Sequence, residues 1–174
     1  MSLPDCFGDL TNLQHICLDG ASSLQLLPNS FGHLNRLEHL SLDGTSSLQM
    51  LPNSFGDLNR LKCLSLKGAS SLQMLPNSFG NLISLETLIV SRCENLQSIQ
   101  WLGQVTNLRG LQDVERLTSL EHLNVENCQK LQSIEGLGQL TKLTGLHVSG
   151  CGEIRQLPGV EHLISLENLN VENC

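Results

Sequence analysis

Leucine recurs along this chain at an offset far longer than the period of a helix or a strand. Leu13, Leu37, Leu61 and Leu85 each open a segment of the form Leu-x-x-Leu-x-Leu, with Ile and Val as its variants, and they stand 24 residues apart. Periods of roughly 20–29 residues mark a solenoid, in which each repeat is one turn of a stacked coil. The blocks Leu27–Met50 and Leu51–Met74 differ at only five positions: His33/Asp57, Glu38/Lys62, His39/Cys63, Asp43/Lys67 and Thr45/Ala69. Every leucine is kept while the charges change, as expected of a fixed framework carrying a variable surface.

Within each repeat the alternation around residues 13–18 turns Leu and Ile inward and the intervening residues outward. It predicts strands over 13–18, 37–42, 61–66, 85–90 and 120–125, paired across rungs about 4.8 Å apart as a parallel sheet. Gly20, Gly44, Gly68 and Gly150 then supply the backbone freedom of a tight turn. The segment Leu27-Pro28-Asn29-Ser30-Phe31-Gly32 is too short and too punctuated for an α-helix and predicts one 3₁₀ turn. Phe31, Phe55 and Phe79 should stack in a buried column.

The register breaks once. Leu108 follows Leu85 by 23 residues, Leu120 follows by only 12, and Leu143 and Leu166 resume at 23. Set against 154–163, the stretch 108–117 lacks the equivalent of residues 143–153, a strand and its turn. Twelve extended residues reach only about 40 Å and cannot enclose a full rung. The expected organisation is a single domain over 1–174, with 24-residue repeats to about residue 99, an irregular excursion over about 100–116 and 23-residue repeats to 174. The strands at 85–90 and 120–125 should then be neighbours. Both ends would leave core leucines and an unpaired strand edge in water, which predicts flanking sequence or self-association through an end.

Composition narrows the partners. The chain has 38 leucines but 4 Phe, 1 Trp and no Tyr, so its core is built from one side-chain shape. A net charge of −7 without a basic cluster argues against nucleic acid and anionic lipid. No apolar run approaches the roughly 18 residues of a membrane span, Met1-Ser2-Leu3-Pro4 leads into a repeat instead of a signal peptide, and no Asn-x-Ser/Thr sequon is present. Cys93, Cys128, Cys151 and Cys174 each follow a strand-ending valine by three residues and so form one structural column. A buried thiol there acts as a small hydrophobe with a weak donor, which points to reduced cysteines and a cytoplasmic setting.

The pattern Leu-x-x-Leu-x-x-Leu-x-Leu-x-x-(Cys/Thr)-x-x-Leu-x-x-Leu-Pro runs from Leu34 to Pro52 and returns with Cys from Leu82 to Ile99. It resembles the leucine-rich repeats of plant intracellular immune receptors, of the nucleotide-binding, TIR-type class. The resemblance implies an α/β-type, right-handed leucine-rich-repeat horseshoe with a concave parallel β-sheet and a mostly irregular or 3₁₀ convex side. It also implies recognition of a protein partner by the concave sheet in innate immunity, with nucleotide-binding and signalling domains outside these residues. No Gly-x-x-x-x-Gly-Lys-Ser/Thr loop occurs here.

The concave face expected to bind a partner carries Gln14, His15, Asp19, Glu38, His39, Asp43, Lys62, Lys67, Glu86, Glu121, His122, Glu126, His147 and Glu167. Three of the five differences between the near-identical blocks fall on it and a fourth falls in the Cys/Thr column. His15, His39 and Cys63 share a column whose spacing would suit zinc or nickel, but a fourth ligand and an outer shell are missing, so no metal and no cofactor are expected. Glu38/Asp43 and Glu121/Glu126 lack the cleft that would tune paired acids for catalysis, so no enzymatic role is expected. A structural scaffold that only spaces other domains is the alternative function.

Overall fold

The computed structural model describes residues 2–100 and 119–174. Its strands are His15–Cys17 (β1), His39–Ser41 (β2), Cys63–Ser65 (β3), Thr87–Ile89 (β4), Ser98–Gln100 (β5), His122–Asn124 (β6), Ser133–Glu135 (β7), Gly145–His147 (β8) and Asn168–Asn170 (β9). Seven form one parallel sheet in the order β1-β2-β3-β4-β6-β8-β9, and β5 pairs with β7 in a second, two-stranded sheet. Each central strand residue, Leu40, Leu64, Leu88, Leu123 or Leu146, is buried, and its neighbours along the strand face outward except at Gly145. The regular strands are three residues long, not the six that alternation predicts. Gln14 O accepts from both Glu38 N (2.9 Å) and His39 N (3.0 Å), which pinches the ladder at one end. At the other end pairing runs on into the turn through Leu18 N to Ser41 O (2.8 Å) and Gly20 N to Asp43 O (2.7 Å).

The turn glycines Gly20, Gly44, Gly68 and Gly150 have φ between 70° and 73°. Other rungs place Arg92, Asn127 and Asn173 in the same left-handed conformation, at φ 57–59°. The opposite side of each early rung is a 3₁₀ turn, at Asp5–Asp9, Asn29–His33, Asn53–Asp57 and Asn77–Asn81. Each is entered by a proline with φ between −65° and −70°, and the Phe N–H closes onto that proline's carbonyl at 2.9–3.0 Å. Gly8, Gly32 and Gly56, each following a Phe, answer to packing: a Cβ on Gly56 would lie 2.3 Å from Ser78 O in the next rung. In the later rungs the turns shrink to Leu137–Gln139 and Val160–His162, entered by Gly136 and Gly159 at φ 77° and 88°. That shortening takes one residue out of the rung and accounts for the change from 24 to 23.

Phe31, Phe55 and Phe79 do stack, with ring centroids 6.1–6.2 Å apart, and Phe7 extends the column at 5.8 Å. On the sheet side the His15 and His39 rings are only 4.7 Å apart. Rungs more widely spaced at the back than at the front must bend, which puts the seven-stranded sheet on the inner, concave side.

The back is more ordered than expected. Bridges join Ser2 to Leu26, Leu26 to Met50 and Met74 to Ser98, and the line continues into the β5–β7 sheet. The recurring Leu-Gln-x-(Leu/Ile) segments make it, with the Gln49, Gln97 and Gln132 N–H groups reaching a Gln carbonyl of the preceding rung, as in Gln97 N to Gln73 O (3.1 Å). At the register break β4 pairs directly with β6 and β5 with β7, so the strands expected to be neighbours are neighbours. Of the excursion expected over about 100–116, Gln100 closes β5 and the rest lies outside the described residues.

The cysteine column ties rung to rung. Cys93 Sγ donates to Leu66 O (3.2 Å), Cys128 to Val90 O (3.0 Å), Cys151 to Val125 O (3.0 Å) and Cys174 to Val148 O (2.9 Å). Thr45 occupies the same column but bonds within its own rung, to Leu42 O at 2.7 Å. Burial pushes the Cys93 thiol up to about 12 and raises Cys128 and Cys151 as well.

Gly56→Ala should lower the unfolding free energy by about 1–3 kcal/mol in urea denaturation, because a rung must shift to admit the methyl group. Gly152→Ala, where a Cβ meets nothing within 4 Å, should leave it nearly unchanged. The thiols set an alkaline limit. A thiol raised in the fold stabilises fully below its ordinary value of 9.0, and that contribution is lost as pH climbs toward the folded value near 12. The chain has no tyrosine to add a phenolic titration over this range. Stability measured from pH 8 to about 11 should therefore fall, and fall less steeply in Cys93→Ala; identical slopes would contradict the assignment.

Candidate functional site

Because the rungs are in register, the outward residues form four columns across the sheet. Gln14, Glu38, Lys62, Glu86, Glu121, Thr144 and Glu167 line the N-terminal ends of the strands, each joined to the next by a backbone hydrogen bond. Two central columns follow the strand pairing: His15, His39, Cys63, Thr87, His122, Gly145 and Asn168, then Cys17, Ser41, Ser65, Ile89, Asn124, His147 and Asn170. Asp19, Asp43, Lys67, Ser91, Glu126, Ser149 and Glu172 line the C-terminal ends. All the residues expected on the concave face therefore stand on it, spread over seven strands and not gathered at one point.

Several of the charges already have work inside the sheet. Lys62 Nζ lies 2.7 Å from Glu38 Oε2, and this hydrogen bond and its charge lower the Glu38 carboxyl and raise the Lys62 ammonium. Both side chains are open to solvent, so screening leaves the pair little weight in stability. The expected basic rung is thus half neutralised by its neighbour. Asp19 Oδ1 accepts from Ser41 Oγ (2.5 Å) and from Asp43 N (3.0 Å), and Asp43 Oδ1 accepts in the same way from Ser65 Oγ (2.5 Å) and Lys67 N (2.9 Å). Sequence reasoning assigned these aspartates to a partner and missed their second task of stitching successive rungs. The signal was present in Ser41-Leu42-Asp43, which sets a hydroxyl and a carboxylate two residues apart on one side of a strand.

Farther along, Glu126 takes the place of the aspartate. Its carboxylate accepts from Asn124 Nδ2 (3.2 Å) and Ser149 Oγ (3.2 Å), with His147 Nδ1 at 3.7 Å. Ser149 turns to the carboxylate, so Glu126 and Ser149 make a polar contact across rungs. His122 leans over its neighbour Gly145, where a Cβ would stand 3.0 Å from His122 Nδ1.

Between the outer columns, β1–β4 enclose a shallow trough of about 380 Å³. Its lining holds no Asp, Glu, Lys or Arg, and includes His15, His39, Cys63, Ser65, Thr87 and Ile89. The His15 and His39 rings stack at 4.7 Å with planes 7° apart. Among the described residues no group of three or more His, Cys, Asp or Glu side chains is arranged to hold a metal ion. Nor is any helix there long and apolar enough to cross a membrane.

The Ser41 hydroxyl is the chief cause that holds the Asp19 carboxyl below its ordinary value of 3.8. A lowered carboxyl stabilises the fold above that ordinary value, and the contribution is lost as pH falls through the folded one. Wild-type stability should therefore decline more steeply than that of Asp19→Asn below about pH 4, as read by denaturation at pH 5, 3.5 and 2.5. Parallel declines would show that the carboxylate stitch carries nothing.

Comparison with known proteins supplies context for this face. The family described as leucine-rich repeat region matches residues 4–114. No curated protein matches the chain. Among solved structures it is similar to the leucine-rich repeat domain of the type III effector XopL, at 22% identity over 99% of this chain and 72% of that one, with a TM-score of 0.46. A leucine-rich-repeat protein of Leptospira interrogans is 24% identical over 99% of this chain and 58% of that one, with a TM-score of 0.43. The Toll–Spätzle complex of Drosophila, described as a hub in development and innate immunity, is 23% identical over 91% of this chain and 20% of that one, with a TM-score of 0.62, and has the same repeat fold.

Proposed function

Since this chain belongs to the leucine-rich-repeat family, we propose that it is a protein-recognition module whose concave sheet binds a partner protein, within a plant intracellular receptor of the immune type. One observation carries the reading. Of the five differences between two near-identical rungs, three, Glu38/Lys62, His39/Cys63 and Asp43/Lys67, fall on the outward sheet face, and two of those three reverse charge. Every inward leucine is unchanged. A spacer needs the leucines but has no use for a face whose charge is rewritten on a constant backbone.

The remaining features fit the same reading. Recognition needs no cofactor and no catalytic group, and residues such as Glu86, Glu121, His122 and Glu167 stand exposed to a ligand. The buried thiol column suits a reducing, cytoplasmic compartment, where such cysteines stay unpaired. We assign residues 1–174 to one repeat domain with a single irregular excursion near its middle. Nucleotide binding and signalling would belong to other parts of the receptor.

The test is affinity capture from plant lysate, comparing the wild-type chain with Glu38→Lys, Lys62→Glu, Lys67→Glu. The first two changes exchange the partners of the 2.7 Å ion pair and so preserve the fold while inverting the face. A protein retained by the wild type and lost by the variant supports recognition through the sheet. Equal retention favours a scaffold that acts through its ends.

A further inference from the structure

The trough over β1–β4 is small and chemically lopsided. Its 380 Å³ is near the lower end of ligand-sized cavities, enough for one large side chain and the backbone that presents it, and too little for a helix laid across the sheet. The floor offers the stacked His15–His39 ring pair, the methyl groups of Thr87 and Ile89, and the Cys63 thiol. Such a floor takes an aromatic or aliphatic side chain by contact with the ring edges and apolar burial.

The walls differ from the floor. Glu38 and Glu86 stand at the N-terminal ends of the strands, and Asp19 and Asp43 at the C-terminal ends. The ammonium group of Lys62 is engaged by Glu38 at 2.7 Å and leaves Glu86 exposed on the next rung. Lys67 is exposed at the C-terminal end of β3, so the carboxylates bordering the trough on either side of that rung are Asp43 at one end and Glu86 at the other. Four strands about 4.8 Å apart span about 15 Å, the length of four to five extended residues crossing the sheet.

We propose that this trough binds an extended segment of a partner protein in which one aromatic or aliphatic side chain is flanked on both sides by Lys or Arg. The inference rests on the reading that the concave sheet is the recognition face, and it names the chemistry of the ligand. The central side chain sits on the histidine pair, one basic residue meets Asp43 and the other meets Glu86.

A random heptapeptide library displayed on phage is panned against the whole chain at about 50 mM NaCl, where screening is weak. Enriched sequences should place Phe, Tyr, Trp or Leu between basic residues. A synthetic peptide of that kind should lose at least about tenfold in affinity at about 500 mM NaCl, and again in Asp43→Asn, Glu86→Gln. Thr87→Arg, which fills the trough, should abolish binding, whereas Asp57→Lys on the 3₁₀ side should not affect it. Acidic or uncharged peptides whose binding is lost in Thr87→Arg would overturn the proposed ligand and leave the recognition face standing. Peptides indifferent to Thr87→Arg would overturn the trough as the binding site, and the recognition reading would then rest on the capture experiment. A library with no enrichment would overturn the short-segment inference, leaving capture of a folded partner to decide the broader reading.

Discussion

A rung of this protein cannot bury its own leucines. Twenty-four residues make one turn of chain around a single layer of side chains, so each layer is shielded only by the layers above and below it. Burial of a leucine is worth roughly 1.5–3 kcal/mol, and here nearly all of it is gained at rung-to-rung contacts. The other recurring interactions serve the same contact. Backbone pairing joins the strands, phenylalanine rings stack at 5.8–6.2 Å behind them, and thiols and aspartates reach from one rung to the next. Gly8, Gly32 and Gly56, each after a phenylalanine, let the backbones approach, since a Cβ there would collide with a serine carbonyl of the next rung.

That dependence separates a constrained interior from a permissive surface. Residues pointing between rungs must repeat, because each touches its own counterpart. Residues pointing off the sheet touch their counterparts in places, as in the His15–His39 stack, but are not packed between rungs and can change with less cost to the coil. Glu38 and Lys62 illustrate both sides of this freedom: the charge has reversed between adjacent rungs, and the two now hold each other. A surface of this kind can be altered one column at a time while the coil beneath it stays the same. It therefore suits recognition better than chemistry, which needs several groups converging on one point.

Much of this was legible in one chain because the repeats amount to several readings of the same fold. Leu-x-x-Leu-x-Leu at constant offset located the sheet, Pro-Asn-Ser-Phe-Gly located the 3₁₀ turns, and the displaced leucines after Leu85 located the break in register. The cysteine column was visible from its distance to the valines, and its thiols do reach backbone carbonyls. Strand length was not legible. Alternation extends over six residues, but Gln14 O is shared by two amides and the ladder narrows to three. The bridges along Leu26, Met50 and Ser98 were missed because Leu-Gln-x-Leu is too short to register as a strand without its neighbours beside it.

By itself the sequence determined the repeat, its period, the inward residues and the columns into which the outward residues fall, because an in-register stack turns spacing along the chain directly into position across the sheet. Only the tertiary structure decided which outward groups are free and which are engaged. Asp19 and Asp43 read as ligand-facing carboxylates, yet each spends one oxygen on the serine and amide of the next rung. His15 and His39 read as a possible metal column, yet their rings lie flat on each other. The trough between the acidic edges depends on how four neighbouring side chains per column lean. Side-chain direction is set by contacts between rungs, and a one-dimensional pattern of residue types does not contain those contacts.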